Sequence, residues 1–552
     1  MHHSTIPKWI VRIASAALLV LLGGCGGEGS DAAADPTIVQ TQQGLVKGVA
    51  ANGILTFLGI PYAAAPTGAL RWKPPAAPLA RTGVLDATQP GSACLQVGPP
   101  PTFAPTGGED CLVLNIYRPA AAPKTPLPVI VAIHGGGFVL GSSAFIDGTA
   151  LAKDNVIVVS INYRLNALGF LAHPALSAED TTTHASGNFG LMDQNAALAW
   201  VGRNIAAFGG DPANVTINGD SAGGFSVFSH MASPMSAGLF AKAVPQSGGF
   251  TRIQATLAQS EAAGVAFGAP WNCSGAGTNA QIAACLRALP AATTLVGALP
   301  PPQSGTGNLS AWLPNVDGNF LTTSTSTAFS AGNFNKVPLM TGVVDDEGTF
   351  FVSAAFGQNP ITTATYGPVG IQGFLGLSDP TAVSALYPIA QYASPNQALA
   401  RVYGDYRVIC GILQDTDSIA SALPAGAKAY VYQFSEKTPY QDASSLASRL
   451  PPNNTIAYGA FHGSDVPYWF DQMTTNPTAT QLQLAQTMSK AIANFAKSGN
   501  PNTAGAFPQW QPYSATQRGV FSFSHSSLNA NFDAYGAHQC GYWYAQPPST
   551  HL

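Results

Sequence analysis

The chain of 552 residues carries 23 basic and 27 acidic side chains, so only 9 % of it is charged, against roughly 25 % in an average soluble protein. Its 46 % apolar content excludes disorder by charge excess, and a net charge of −4 offers no basic face to nucleic acid. Glycine (58) and proline (43) are scattered without a period, which describes a large, near-neutral, loop-rich globular chain.

Taken in chain order, the first feature is Lys8 and Arg12 ahead of an uncharged stretch from Ile13 to Leu22. It is too short to span a bilayer, which needs about 20 residues, and has the length of a signal-peptide core. The following Leu22-Gly23-Gly24-Cys25 resembles the lipobox of bacterial lipoproteins, whose cysteine thiol carries a diacylglycerol and becomes the new N-terminus. Ordinary signal cleavage near Gly24 is the alternative. Gly26 is not Asp, and the resemblance then implies the outer membrane. The expected organisation is a lipoprotein signal peptide over 1–24, a flexible tether over 25–36, and one domain over 37–545.

Beyond Cys25 the cysteines are Cys94, Cys111, Cys273, Cys285, Cys410 and Cys540, an even number in an exported chain, with no zinc-site spacing. Disulfides are the natural reading. Local pairing joins Cys94 to Cys111 and Cys273 to Cys285, leaving Cys410 and Cys540, although six cysteines allow 15 connectivities.

Strands are expected at Val129–Ile133, Val156–Ile161, Val215–Ile217, Val337–Val344 and Ala429–Phe434. Each is nearly continuous in apolar character, as in a parallel sheet covered on both faces. Between them, Leu191, Leu198, Val201 and Ile205 share a helical face, with Asn188 available as N-cap. Leu484, Met488, Ile492 and Phe495 form another stripe, closed by Gly499 and Pro501. The alternation predicts an α/β fold with a mostly parallel central sheet and long insertions.

The chemistry concentrates at Gly219-Asp220-Ser221-Ala222-Gly223, between a strand run and a helix-like stretch. A serine on such a turn is thrust above the sheet edge, and glycines relieve the crowding. A bare GxSxG recurs by chance in a glycine-rich chain; its context gives it weight. Upstream, His134-Gly135-Gly136-Gly137-Phe138 follows the strand Val129–Ile133. Its backbone can aim N–H groups at a developing oxyanion, with the Ala222 N–H as a further donor.

A serine hydroxyl needs a base and the base an orienting carboxylate, in chain order Ser, acid, His for this topology. Asp345-Asp346-Glu347 follows the strand Val337–Val344, and three consecutive carboxylates on a strand end do not face one metal ion. Of the histidines downstream, only His462 combines a small-residue loop with the right order. His230 falls in the helix after the serine, His525 in a Ser-rich stretch, and His538 and His551 near the terminus.

Phe208-Gly209-Gly210-Asp211-Pro212, Glu109-Asp110-Cys111-Leu112, Asn162-Tyr163-Arg164, Gly190-Leu191-Met192-Asp193-Gln194 and Gln246-Ser247-Gly248 together resemble the type-B carboxylesterase/lipase family, which includes cholinesterases. The resemblance runs from about residue 37 to 545. It implies an α/β-hydrolase fold with helices on both faces, Ser221 as nucleophile, Glu347 as acid and His462 as base. Gly136, Gly137 and Ala222 match the family's oxyanion hole. Cys94–Cys111 and Cys273–Cys285 match its usual disulfides, and Cys410–Cys540 resembles a third pair seen in cholinesterases. Arg71–Glu109 and Arg164–Asp193 match its salt bridges.

Two departures stand out. Asp220 occupies a position where the family more often has Glu. The first disulfide loop, Leu95 to Asp110, holds Phe103 as its only aromatic and lacks the Trp with which cholinesterases stack quaternary ammonium, so choline esters are poor candidates.

The expected activity is a cofactor- and metal-free serine carboxylesterase acting on small to medium esters. An interfacial lipase on long-chain glycerides and a non-catalytic binding protein on the same fold are the alternatives. A trypsin-like protease is disfavoured because Ala222 interrupts its GDSGG pattern and its His and Asp would precede the Ser.

Overall fold

The computed structural model describes residues 35–546, apart from 99–103, 250–253, 275–276, 293–311, 442–455 and 503–506. The predicted signal peptide, the lipobox Cys25, and all of the tether but its last two residues lie outside the described residues, as do Phe103 and His551.

Among the described residues, eleven strands make one sheet. In chain order they are β1 (Val49–Ala51), β2 (Ile54–Pro61), β3 (Val113–Pro119), β4 (Leu127–Ile133), β5 (Ile157–Ile161), β6 (Gly210–Asp220), β7 (Lys242–Gln246), β8 (Leu339–Val344), β9 (Ala429–Phe434), β10 (Val520–Phe523) and β11 (Leu528–Phe532). The order across the sheet is β11-β10-β9-β8-β7-β6-β4-β5-β3-β2-β1. From β5 through β10 neighbours run parallel, while β1–β2, β2–β3, β3–β5 and β10–β11 are antiparallel. A three-stranded sheet of Ile38–Thr41, Gly44–Lys47 and Leu85–Asp86 stands apart.

The continuous apolar runs have the predicted cause, because the parallel strands are buried on both faces. In β4, Val129, Val131 and Ile133 point into a core shared with helices α1 (Phe189–Asn204) and α2 (Ala222–Ala232). Ile130 and Ala132 point the other way, where Leu484, Met488, Ile492 and Phe495 of the later helix Ala479–Ser498 pack. That helix ends, as its sequence predicts, on Gly499 at φ +74°. Asn188 precedes α1 but its side chain does not cap it. Its Nδ2 donates to the Asn315 carbonyl at 2.9 Å and its Oδ1 accepts from the Asn315 amide at 3.0 Å. Anchoring an insertion 127 residues away outcompetes the local cap.

Chain order sets the position of the crevice. β4 lies between β5 and β6, so the connection leaving β4 goes to one side and β6 returns on the other. Ligand sites in open α/β sheets form at such switch points, outside the strands' C-terminal ends. The turns after β4 and β6 are the two glycine-rich segments singled out above.

Three disulfides join Cys94–Cys111, Cys273–Cys285 and Cys410–Cys540. On a chain-entropy model the first two contribute about 3 kcal/mol each and the third about 5. Arg71 and Glu109 meet through two hydrogen bonds of 2.7 Å, while Arg71 Nη1 also bonds the Leu289 carbonyl at 2.6 Å. Arg164 grips the fully buried Asp193 at 2.8 and 2.7 Å. Burial still pushes the Asp193 carboxyl upward against the guanidinium's pull.

Candidate active site

Strand β6 ends at Asp220, and α2 starts at Ala222. Ser221, between them, sits at φ +59°, ψ −122°. A non-glycine residue held there costs about 1–3 kcal/mol, and its neighbours explain how the turn closes. A Cβ on Gly219 would lie 2.4 Å from the Gly223 backbone, and one on Gly223 would lie 2.0 Å from the Ile133 carbonyl. Only glycine lets the strand, the helix and the end of β4 approach this closely.

After β4, Gly136 (φ +107°) and Gly137 (φ +61°) turn the chain back across the serine. A Cβ on Gly135 would stand 3.1 Å from the Ser221 Cβ, and one on Gly136 would be 2.1 Å from the Leu140 carbonyl. His134 supports the turn. Its Nδ1 bonds the Gly135 carbonyl at 2.8 Å and its ring stacks on Tyr163. Burial lowers its pKa to about 4, so it is neutral scaffold. The glycine turn thus lies against Ser221 at Gly135, and Ala222 is the first residue of a helix N-terminus, where backbone N–H groups point outward.

Glu347 and His462 come together although 115 residues separate them. The imidazole Nδ1 donates to Glu347 Oε2 at 2.6 Å, and both side chains are buried. The other carboxylate oxygen, Oε1, accepts from the Ser247 hydroxyl at 2.6 Å and the Val344 amide at 3.0 Å. Phe351 lies 5.0 Å from the His462 ring and stacks on Tyr403. Burial alone would depress the His462 pKa, but the carboxylates of Glu347, Asp220 and Asp465 outweigh it and leave it raised.

The three consecutive carboxylates diverge. Asp345 faces Arg401 at 3.0 Å and Lys437 at 2.5 Å. Asp346 turns toward Lys437 and the Ala460 amide. Only Glu347 reaches the imidazole.

The other described histidines have different partners. His230 is buried against Ser236 and Gln194, and burial lowers its pKa to about 3. His525 bonds Glu436 at 2.5 Å. His538 is fully buried, with Nδ1 on Asp405 at 2.6 Å and Nε2 on Gln433 at 2.8 Å.

The Ser247 hydroxyl and the His538–Asp405 pair carry roles that sequence reasoning did not find. Ser247 was visible only as part of Gln246-Ser247-Gly248, directly after β7. Nothing local announces the Asp405 contact.

Asp220 shows what the shorter side chain does. Its Oδ1 is buried and has no hydrogen-bond partner among the described residues. Burial raises its pKa to about 8, with Asp465 and Glu347 pushing the same way against His462. Between the ordinary carboxyl range and about 8, the native state therefore holds a proton that the unfolded chain has released. Stability falls as pH rises through that window.

Asp220→Asn is expected to flatten this dependence and to stabilise the fold at pH 8 by on the order of a few kcal/mol. Unfolding measured between pH 5 and 9 checks it.

A sheet of this topology, with a serine elbow at its switch point and a buried His–Glu pair beyond, defines an α/β-hydrolase of the carboxylesterase kind. The Carboxylesterase family model matches residues 35–543, and the chain belongs to that family. The fumonisin B1 esterase of Sphingopyxis macrogoltabida is 35 % identical to it over 499 residues, covering 86 % of this chain and 85 % of that one. The protein is a carboxylic-ester hydrolase.

Proposed function

We propose that the chain hydrolyses esters by a two-step acyl-enzyme route. His462 takes the Ser221 proton as Oγ attacks the ester carbonyl, and the amides of Gly136, Gly137 and Ala222 hold the developing oxyanion. The tetrahedral intermediate collapses with loss of the alcohol, which receives that proton from His462. Water, deprotonated by the same imidazole, then attacks the acyl-serine and releases the acid. Glu347 holds the imidazole tautomer and balances the imidazolium. The nucleophile, base and donors all come from the chain, so the route uses no metal or organic cofactor. The observation that carries the reading is the buried 2.6 Å Glu347–His462 hydrogen bond, set beside a serine in a strained strand-to-helix turn.

The preferred substrates in this reading are small to medium esters of soluble alcohols and acids. Fumonisin B1 belongs in the test panel because a relative carries that activity in its name. The domain spans 37–545, preceded by a signal peptide over 1–24 and a tether over 25–36. Cys25 is the lipid-bearing residue that anchors the enzyme at the outer membrane.

Initial rates on p-nitrophenyl esters of increasing acyl length, together with labelling by a radioactive organophosphate, test the proposal. Fast turnover of short chains with one label per chain on Ser221 is expected. A rate maximum at long chains, rising at emulsified substrate, would replace the esterase by an interfacial lipase. Active enzyme that takes no label would remove Ser221 as nucleophile.

A further inference from the structure

We propose that Asp346 is a positioning residue for ester hydrolysis, its carboxylate latching the histidine-bearing loop onto the end of the acid-bearing strand; this rests on the Ser221–Glu347–His462 reading above. His462 sits on a loop between β9 and the helix Ala479–Ser498, with no sheet strand of its own to fix its height above β8. What sets that height is the residue next to the catalytic acid.

The contact runs both ways. The Asp346 amide donates to the Ala460 carbonyl at 2.9 Å, and the Ala460 amide donates to Asp346 Oδ2 at 2.8 Å. The two segments are thereby paired like a short parallel bridge between Asp346 and Phe461. Residues 346 and 347 of one segment therefore fix residues 460 and 462 of the other.

The loop is shaped for this approach. Gly459 has φ +58°, and a Cβ there would fall 2.1 Å from Asp346 Oδ2, so any side chain would push the loop off the carboxylate. The Thr349 hydroxyl, on the second residue of the following helix Gly348–Phe356, lies 2.8 Å from both the Asp346 and the Tyr458 carbonyls. Lys437, at the exit of β9, closes the latch with its ammonium 2.7 Å from Asp346 Oδ2. As an ion pair this last contact is half exposed and worth little by itself. The hydrogen bond to the Ala460 amide carries the positioning, because that amide lies two residues from the base.

Asp346→Ala, Asp346→Asn and Gly459→Ala, with Ser221→Ala alongside, test the latch on one p-nitrophenyl ester. Asp346→Ala and Gly459→Ala are expected to lower kcat by about 10–100-fold, the scale of a misplaced catalytic group. KM should stay within about twofold, since neither residue is placed against substrate. The acid limb of kcat/KM should move to lower pH as His462 loses its hold on Glu347, a shift that loss of folded protein alone would not produce. Asp346→Asn keeps an acceptor for the Ala460 amide and should stay within about fivefold of wild type.

The proposal fails if folded Asp346→Ala keeps kcat within about threefold of wild type. It also fails if activity falls only in step with the folded fraction, or if Asp346→Asn is as impaired as Asp346→Ala. Should Asp346→Ala not fold, Gly459→Ala decides, since it displaces the loop with the carboxylate intact. An active Ser221→Ala would instead overturn the underlying mechanism, so the two failures are told apart.

Discussion

Replacing Ser221 by alanine is expected to lower kcat on any ester by about 10⁶-fold, some 8 kcal/mol of lost transition-state stabilisation. The size follows from what the elbow provides. In the proposed mechanism a serine at φ +59° presents its Oγ to His462 and the oxyanion donors, and water entering the vacated space has no fixed attack geometry. The backbone donors remain, so a residual acceleration of about 10³–10⁴ over solution is expected. KM should change little, because the deleted oxygen acts in the transition state. Alanine also relieves little of the backbone strain, since it too disfavours positive φ; stability should stay close to wild type. Steady-state rates with active-site titration measure the effect, and a loss below about 10²-fold would mean that another nucleophile carries the reaction.

How far the site was readable depends on how local each signal is. Ser221 announced itself because strand, tight turn and helix are consecutive in sequence, and Gly219 and Gly223 are required by contacts that any Cβ would violate. The parallel sheet was readable from its apolar runs, since burial on both faces leaves no polar alternation. Glu347 and His462 needed chain order and resemblance to a family to select them, because nothing in the local sequence says which of Asp345, Asp346 and Glu347 turns inward.

What the sequence did not disclose are contacts decided by tertiary packing. Asn188 is a good N-cap by type, yet its side chain bonds Asn315 instead. His538, near the chain terminus, is buried against Asp405 and Gln433, and no spacing rule connects residues 133 apart. Ser247 lay in a recognised motif without a role until its hydroxyl was seen on Glu347.

The Ser247 contact makes Glu347→Gln informative beyond the loss of a charge. In the native site Oε1 accepts from the Ser247 hydroxyl and the Val344 amide, while Oε2 accepts from His462 Nδ1. A carboxamide has one acceptor oxygen and one NH₂. The Val344 amide can only donate, which keeps the oxygen on its side and turns the NH₂ toward the imidazole. Nδ1 must then accept, the ring proton moves to Nε2, and the base is in the wrong tautomer to take the Ser221 proton. A fall in kcat of about 10⁴-fold, or roughly 5.4 kcal/mol, is the expected result. Removing the strongest of the anions that raise the His462 pKa should also carry the residual acid limb to lower pH. Ser247→Ala serves as the paired measurement. It leaves the carboxylate on His462 and the Val344 bond in place, so it should cost no more than about 10-fold. If Glu347→Gln proved as mild as that, the carboxylate would be acting as general packing around the histidine, and the orienting role assigned to it would fall.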